Sequence, residues 1–347
     1  MIVKFIINKM TLIFPETITK DPSKSINWIS TTDPIVCRRL SFPLYSSDKD
    51  SPVFTDIVQG DIGSCWFLSA LISYLRPLSK TLEKSKEDIR NSIFLFKETS
   101  DRRIFKIQLS GKVFYVDDFV PLSYYREKIG DAASSMSCLW FILLEKAMLS
   151  LMTIDSINAG QQVKWQTASS DDNIYLKEQN HKLLFPTYWV KNIIIRCGEM
   201  KAATIGIGQM VGGRNKYYVL HKQDVSFSTP HIDSIAIYKK FKGGAHLLAN
   251  TSRRTYSSSK YPDSLPVSSV GAIPTHCYAV VGIDYSKERG TYLLTIYNPW
   301  GKREIPDVDN NYLYPPDTVS GKGLSIISWE KFWQCFACVH ISEQTRQ

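Results

Sequence analysis

The chain lacks several things at once. No run of residues approaches the roughly 18 to 20 consecutive apolar positions that a bilayer span requires, and the apolar start, residues 1–14, is broken by Lys4 and Lys9. It therefore offers no continuous signal-peptide core and no small-residue cleavage site. There are no internal repeats and no low-complexity tracts, which sets aside solenoids and disordered tails. The seven cysteines, at positions 37, 65, 138, 197, 277, 335 and 338, are odd in number and scattered. That pattern argues against a disulfide-stapled secreted scaffold and for reduced thiols, so the expected location is the cytoplasm.

What is present suits a folded protein. With 347 residues, 44% of them hydrophobic and 12% aromatic, the chain can bury a core of two packed lobes or one large domain. The formal charge of +9 is concentrated: residues 196–254 hold ten Lys and Arg against three Asp and Glu. Such a stretch suits an acidic partner or a solvated basic face. Anionic lipid or nucleic acid would suit it too, but no nucleic-acid motif accompanies it, so no clear nucleic-acid partner is expected.

Prolines 15, 22, 34, 43 and 52 among many Ser, Thr and Asp mark a loop-rich lead-in. From Cys65 to Leu75 (CWFLSALISYL) nearly every residue is apolar, which predicts a helix buried on all sides, with Ser64 at its N-cap. Residues 103–109 (RIFKIQL) and 112–116 (KVFYV), joined by Ser110-Gly111, predict a hairpin. A second apolar helix is expected over Leu139 to Met152, and an insert over about 153–232. Beyond it, Ile235 to Phe241 reads as a helix, Ala245 to Ala249 as a strand, and Thr275 to Ile283 and Thr291 to Asn298 as paired strands. The expected division is a lead-in over 1–50, a helical lobe over 51–232 and a sheet lobe over 233–347.

The stretch Gln59 to Leu71 (QGDIGSCWFLSAL) sets one cysteine where the buried helix begins. A helix N-terminus favours negative charge, so a thiol there is biased towards the reactive thiolate. An imidazole is needed to take its proton, and a third group to orient that imidazole. His276 opens one predicted strand and Asn298 closes the next, so both can reach neighbouring strand ends. The Gln59 amide could join the Cys65 backbone N–H as an oxyanion hole, with Gly60 and Gly63 allowing the tight turn between them.

QGDIGSCWFLSAL, THCYAVVG (275–282) and NPWG (298–301) resemble the three catalytic blocks of the papain-like cysteine peptidases. The calpain catalytic core fits best. Asn298-Pro-Trp-Gly301 is similar to its form, as are residues 112–122 (KVFYVDDFVPL), 143–147 (LLEKA) and 327–332 (ISWEKF). The resemblance implies a papain-like two-lobe α+β fold with the active site in a cleft. It also implies a thioester-forming endopeptidase of protein substrates, with Cys65 as nucleophile, His276 as base and acid, Asn298 as orienting residue and Gln59 as oxyanion donor. Trp300 would shield the His276–Asn298 bond and gate the alignment of the lobes.

Calpain cores also bind calcium as an activator. Asp56 and Glu304 occupy family ligand positions, yet Lys322-Gly323-Leu324 stands where the second site has two carboxylates, so that site looks degraded. No cofactor is needed for the chemistry itself. The Asp307-x-Asp309-x-Asn311 run is not an EF-hand, because Tyr312 and Thr318 replace its glycine and closing Glu. Cys335, Cys338 and His340 have zinc-like spacing but lack a fourth ligand, and strand alternation explains them as core packing. A core-only calpain is thus expected, with a catalytically silent scaffold of the same fold as the alternative.

Overall fold

A computed structural model describes residues 11–12, 37–39, 42–46, 50–59, 64–76, 81–98, 100, 103–109, 111–121, 138–148, 214–222, 230–256, 265–301, 305 and 323–343. In chain order the strands are β1 (Thr11–Leu12), β2 (Cys37–Arg39), β3 (Ile93–Glu98), β4 (Arg103–Leu109), β5 (Lys112–Asp117), β6 (Phe119–Pro121), β7 (Arg214–Val219), β8 (His246–Thr251), β9 (Cys277–Ser286), β10 (Thr291–Tyr297), β11 (Leu324–Ser328) and β12 (Phe336–Glu343). The helices are α1 (Cys65–Tyr74), α2 (Leu82–Arg90), α3 (140–148), α4 (Ser234–Lys242) and α5 (Trp329–Cys335).

The contacts divide the chain into two compact units. One comprises Met1–Pro52, Gly60–Gly63 and Lys86–Ile195; the other comprises Val53–Gln59, Ser64–Ser85 and Arg196–Gln347. This differs from the expected boundaries, because α1 packs on β8 and β9 and so belongs with the C-terminal sheet.

In the first unit β1-β5-β4-β3 form one sheet. The predicted hairpin is there, in register from Ile104 opposite Asp117 to Leu109 opposite Lys112. On β4, Phe105, Ile107 and Leu109 are buried, the period-2 pattern of a strand with one covered face. Asp118, buried, accepts from the Arg103 backbone N–H at 3.1 Å and from its Nε at 2.8 Å, which locks the strand that ends the KVFYVDD run. Residues 140–148 of the expected second helix are helical and buried throughout, including Glu145 and Lys146.

The second unit is a six-stranded antiparallel sheet in the order β11-β10-β9-β8-β12-β7. Alternate residues of each strand point to opposite faces. One face is apolar: Leu247, Ala249, Tyr278, Val280, Leu294, Ile296, Val339 and Ile341 pack with Ile237 and Phe241 of α4 and Phe332 of α5. Each large apolar side chain buried there contributes about 1.5–3 kcal/mol. Both covering helices are capped, with Asp233 accepting from the Ala236 N–H at 2.7 Å and Ser328 from the Lys331 N–H at 3.2 Å.

The other face receives α1. Ser69 donates to the Cys277 carbonyl at 2.9 Å, and Ser73 Oγ accepts from the Leu247 N–H at 3.1 Å. Every residue of α1 after Cys65 is buried, matching the expectation of a helix enclosed on all sides. Its end is fixed by Arg76, which donates to the carbonyls of Phe241 and Ala245 at the C-terminal end of α4 and stacks on the Phe241 ring at 4.3 Å. The cation thereby meets the negative end of the α4 dipole.

Residues 149–213, most of the expected insert, lie outside the described residues. Near its end, β7 pairs with β12 from Asn215 opposite Ser342 to Val219 opposite Cys338 and forms an edge of the sheet.

Candidate active site

Cys65 is the first residue of α1 and is half-buried. Ser64 sits at the N-cap as expected, but its side chain makes no capping bond; its carbonyl accepts from the N–H groups of Phe67 and Leu68 at 2.8 and 3.0 Å. Burial pushes the Cys65 thiol up to about 11, and the backbone N–H of Cys277 hydrogen-bonds to it and counters part of that rise. Cys277 is the residue after His276, so α1 sets its first side chain against the start of β9.

His276 is buried, and its Nε2–H donates to Asn298 Oδ1 at 2.9 Å. The same Oδ1 accepts from the Trp300 backbone N–H at 3.0 Å. Two donors converging on one atom fix it as the amide oxygen, and that in turn fixes the imidazole tautomer: the proton sits on Nε2 and Nδ1 keeps its lone pair. Burial lowers the His276 pKa to about 4, with the Asn298 bond acting in the opposite direction. The Trp300 ring lies 5.0 Å from the imidazole, tilted by 54°, and Tyr278 meets it edge-on at 5.1 Å. Both rings thus pack against the imidazole that bonds Asn298.

Three supports were missed by sequence reasoning. Thr251, at the end of β8, holds the histidine backbone from both sides: its N–H donates to the His276 carbonyl at 2.9 Å, and its Oγ1 accepts from the His276 N–H at 2.9 Å while donating to Ile273 at 2.5 Å. Thr275, immediately before the histidine, has φ 53°. A β-branched residue in that region is strained by about 1–3 kcal/mol, and such strain gathers at functional sites. Gly323 (φ 81°) accepts from the Asn298 N–H at 2.8 Å, and a Cβ there would come within 2.9 Å of the Asn298 carbonyl. None of these has a local sequence signal, apart from a glycine that in isolation marks only a turn.

Gln59 is buried, and its backbone N–H donates to the Pro299 carbonyl at 2.7 Å, tying its segment to the loop that carries Asn298 and Trp300. Gly60 and Gly63 lie outside the described residues. The structure thus gathers Cys65, His276, Asn298, Trp300 and Gln59 in one compact unit. Among the described residues no hydrogen bond joins the Cys65 and His276 side chains.

Of the two expected calcium ligands, Asp56 alone falls among the described residues. Asp56 lies in a short 3-10 turn, Phe54–Asp56, close enough to Tyr297 to add electrostatically to the rise that burial gives that hydroxyl's pKa. Glu304, Asp307, Asp309 and Lys322 lie outside the described residues. Among the described residues no group of three His, Cys, Asp or Glu could hold a metal. The Cys335/Cys338/His340 pattern is split across the sheet: Cys335 belongs to the apolar cluster, while Cys338 Sγ meets His340 Nε2 at 3.8 Å on the opposite face.

Residues 4–187 match the family model described as calpain family cysteine protease. That segment holds Cys65 and Gln59, whereas His276 and Asn298 lie beyond it. No curated protein matches the chain. Among solved structures, PepW from Lactobacillus rhamnosis HN001, determined as the selenomethionine derivative, aligns at 10% identity over 84% of this chain and 72% of that chain, with a TM-score of 0.25. Among the described residues no helix is long and apolar enough to cross a membrane. Since the matched segment spans more than half of its 347 residues, the chain belongs to the calpain family of cysteine proteases.

Proposed function

We propose that the chain is a cysteine endopeptidase that cleaves polypeptides through a thioester acyl-enzyme, in a papain-like two-lobe fold. The observation that carries this reading is the His276 Nε2–Asn298 Oδ1 bond, which leaves Nδ1 as a base beside the strand start that α1 and Cys65 overlie. In the first half-reaction Cys65 Sγ attacks the scissile carbonyl and Nδ1 takes the thiol proton. The oxyanion is met by the Cys65 backbone N–H and the Gln59 amide, and the imidazolium returns its proton to the leaving amine. Water, deprotonated by Nδ1, then releases the acid and restores the thiol.

Burial holds the thiol up at about 11 and the imidazole down at about 4, so the resting pair is neutral. Activation then requires Cys65 and His276 to align as a thiolate–imidazolium pair, with Trp300, packed on the imidazole, as the gate. Calcium dependence on this reading is partial or lost. Cys65, Cys277, Cys335 and Cys338 are free thiols, which favours the cytoplasm as its compartment. Part of the basic stretch has a role within the fold, since Lys239, Lys240 and Lys242 lie in the last turn of α4 and Lys242 pairs with Asp284 at 2.8 Å. Retention on heparin at rising salt tests whether the stretch also serves an acidic partner.

The test is cleavage of unfolded casein at neutral pH by the protein and by Cys65→Ala, each with calcium and with a chelator. Cleavage that disappears in Cys65→Ala supports the peptidase, and equal cleavage with chelator removes calcium from the account. The neutral, unbonded resting pair favours one second reading, a calpain-fold scaffold without turnover. Absence of cleavage by folded, reduced protein under all conditions would establish that reading instead.

A further inference from the structure

A second thiol stands beside the candidate nucleophile. Cys65 and Ser69 are one helical turn apart on the same face of α1, and residues so spaced lie about 5–6 Å apart at Cβ. Ser69 is bonded to the Cys277 carbonyl at 2.9 Å, and the Cys277 backbone N–H bonds to the Cys65 thiol. The main chain of Cys277 is thus held by both residues of that turn. Its neighbour Tyr278 points into the apolar cluster on the far face of the sheet, so strand alternation sends the Cys277 side chain towards α1. The two cysteines differ in access. Cys65 is half-buried, whereas Cys277 is 2% exposed. An oxidant from solvent therefore meets Cys65 first, with Cys277 held in reserve behind it.

We propose that Cys277 is a resolving thiol, which captures peroxide-oxidised Cys65 as a reversible Cys65–Cys277 disulfide. In the first step the Cys65 sulfur attacks hydrogen peroxide or an organic hydroperoxide: the O–O bond breaks, an S–O bond forms, and water or an alcohol leaves. In the second, the Cys277 sulfur attacks the sulfenic sulfur of Cys65. The S–S bond forms, the S–O bond breaks, and the departing hydroxide takes the Cys277 proton as water. Two thiols lose two electrons and the peroxide gains them. A cellular dithiol reverses the reaction by exchange. The disulfide stands on the placement of the two cysteines alone; its consequence, a reversible loss of peptidase activity that spares Cys65 from irreversible oxidation, rests on the reading of Cys65 as nucleophile.

The full-length protein is treated with hydrogen peroxide, alkylated, digested without reduction and read by mass spectrometry. The expected product is a cross-linked pair of peptides containing Cys65 and Cys277, two hydrogens lighter than their sum and separated by dithiothreitol. In Cys277→Ala and Cys277→Ser, Cys65 should instead advance to sulfinic acid, with the dithiothreitol-recoverable fraction falling at least about tenfold. Failure to find the cross-link in wild-type protein, or equal sulfinic acid in wild type and variants, would overturn the proposal. The wild-type measurement needs no variant to fold. A cross-link in a protein that never cleaves casein would keep this inference and remove the peptidase, and cleavage without a cross-link would do the reverse.

Discussion

On one face of the six-stranded sheet Phe332 and Phe336 stack at 4.5 Å and Tyr278 meets Phe336 edge-on at 5.5 Å. On the other, α1 lays hydroxyls and a thiol against strand backbone. The apolar face stabilises without fixing any one atom, since hydrophobic burial is non-directional. The polar face stabilises less per group but dictates where each atom stands, because a buried polar group left unbonded costs about 1–3 kcal/mol. The difference teaches that the sheet is held from one side and aimed from the other, with Cys65 at the edge of the aimed side.

The largest break in this comparison should come from acid. His246, His276 and His340 are buried, and burial lowers their pKa values to about 4, 4 and 3. Between the ordinary histidine value near 6.5 and those values the unfolded chain binds protons that the folded chain refuses. Stability is therefore full above about pH 7 and falls as pH drops towards 4, each histidine contributing on the order of 2 to 3 kcal/mol. Denaturant titrations from pH 8 to pH 4 check this, and a flat profile would contradict it. Next, Phe336→Ala should cost about 3–5 kcal/mol, visible as a lower denaturation midpoint at every pH.

Asn298→Ala should separate aim from stability. Loss of the imidazole's fixed tautomer is expected to lower kcat on casein roughly 100-fold, with KM nearly unchanged, while the denaturation midpoint moves far less than in Phe336→Ala. Ser69→Ala, which leaves the Cys277 carbonyl without its donor, should cost about 1 kcal/mol. The smallest effect is expected of Thr275→Gly, which relieves the φ 53° strain and should stabilise by less than about 1 kcal/mol; calorimetry would detect a destabilisation instead if that backbone were unstrained.

Much of this was legible in the sequence, for physical reasons that differ by element. α1 could be read because eleven consecutive positions are nearly all apolar, and β4, β5, β9 and β10 because their alternation and turn residues are local. His276 and Asn298 could be placed near one another because they flank β9 and β10, which pair antiparallel. β7 was hidden: Arg214 to Val219 (RNKYYV) is polar, and it becomes a strand by pairing with β12 more than a hundred residues later. The packing of α1 on β8 and β9 was hidden for a related reason, since α1 gives no sign in its own residues of which sheet it will pack on. Thr251 and Arg76 act through backbone carbonyls and N–H groups, which leave no trace in the identity of their partners.

The Nε2–H of His276 is enclosed by the Asn298 amide on one side and the Trp300 ring on another. A proton so placed exchanges slowly with solvent, which makes it a built-in spectroscopic reporter. It should give a resolved downfield proton resonance in the intact protein, correlated to an imidazole nitrogen and lost in Asn298→Ala. The site can in this way be observed without a substrate, and its state followed while peroxide, calcium or a peptide is added.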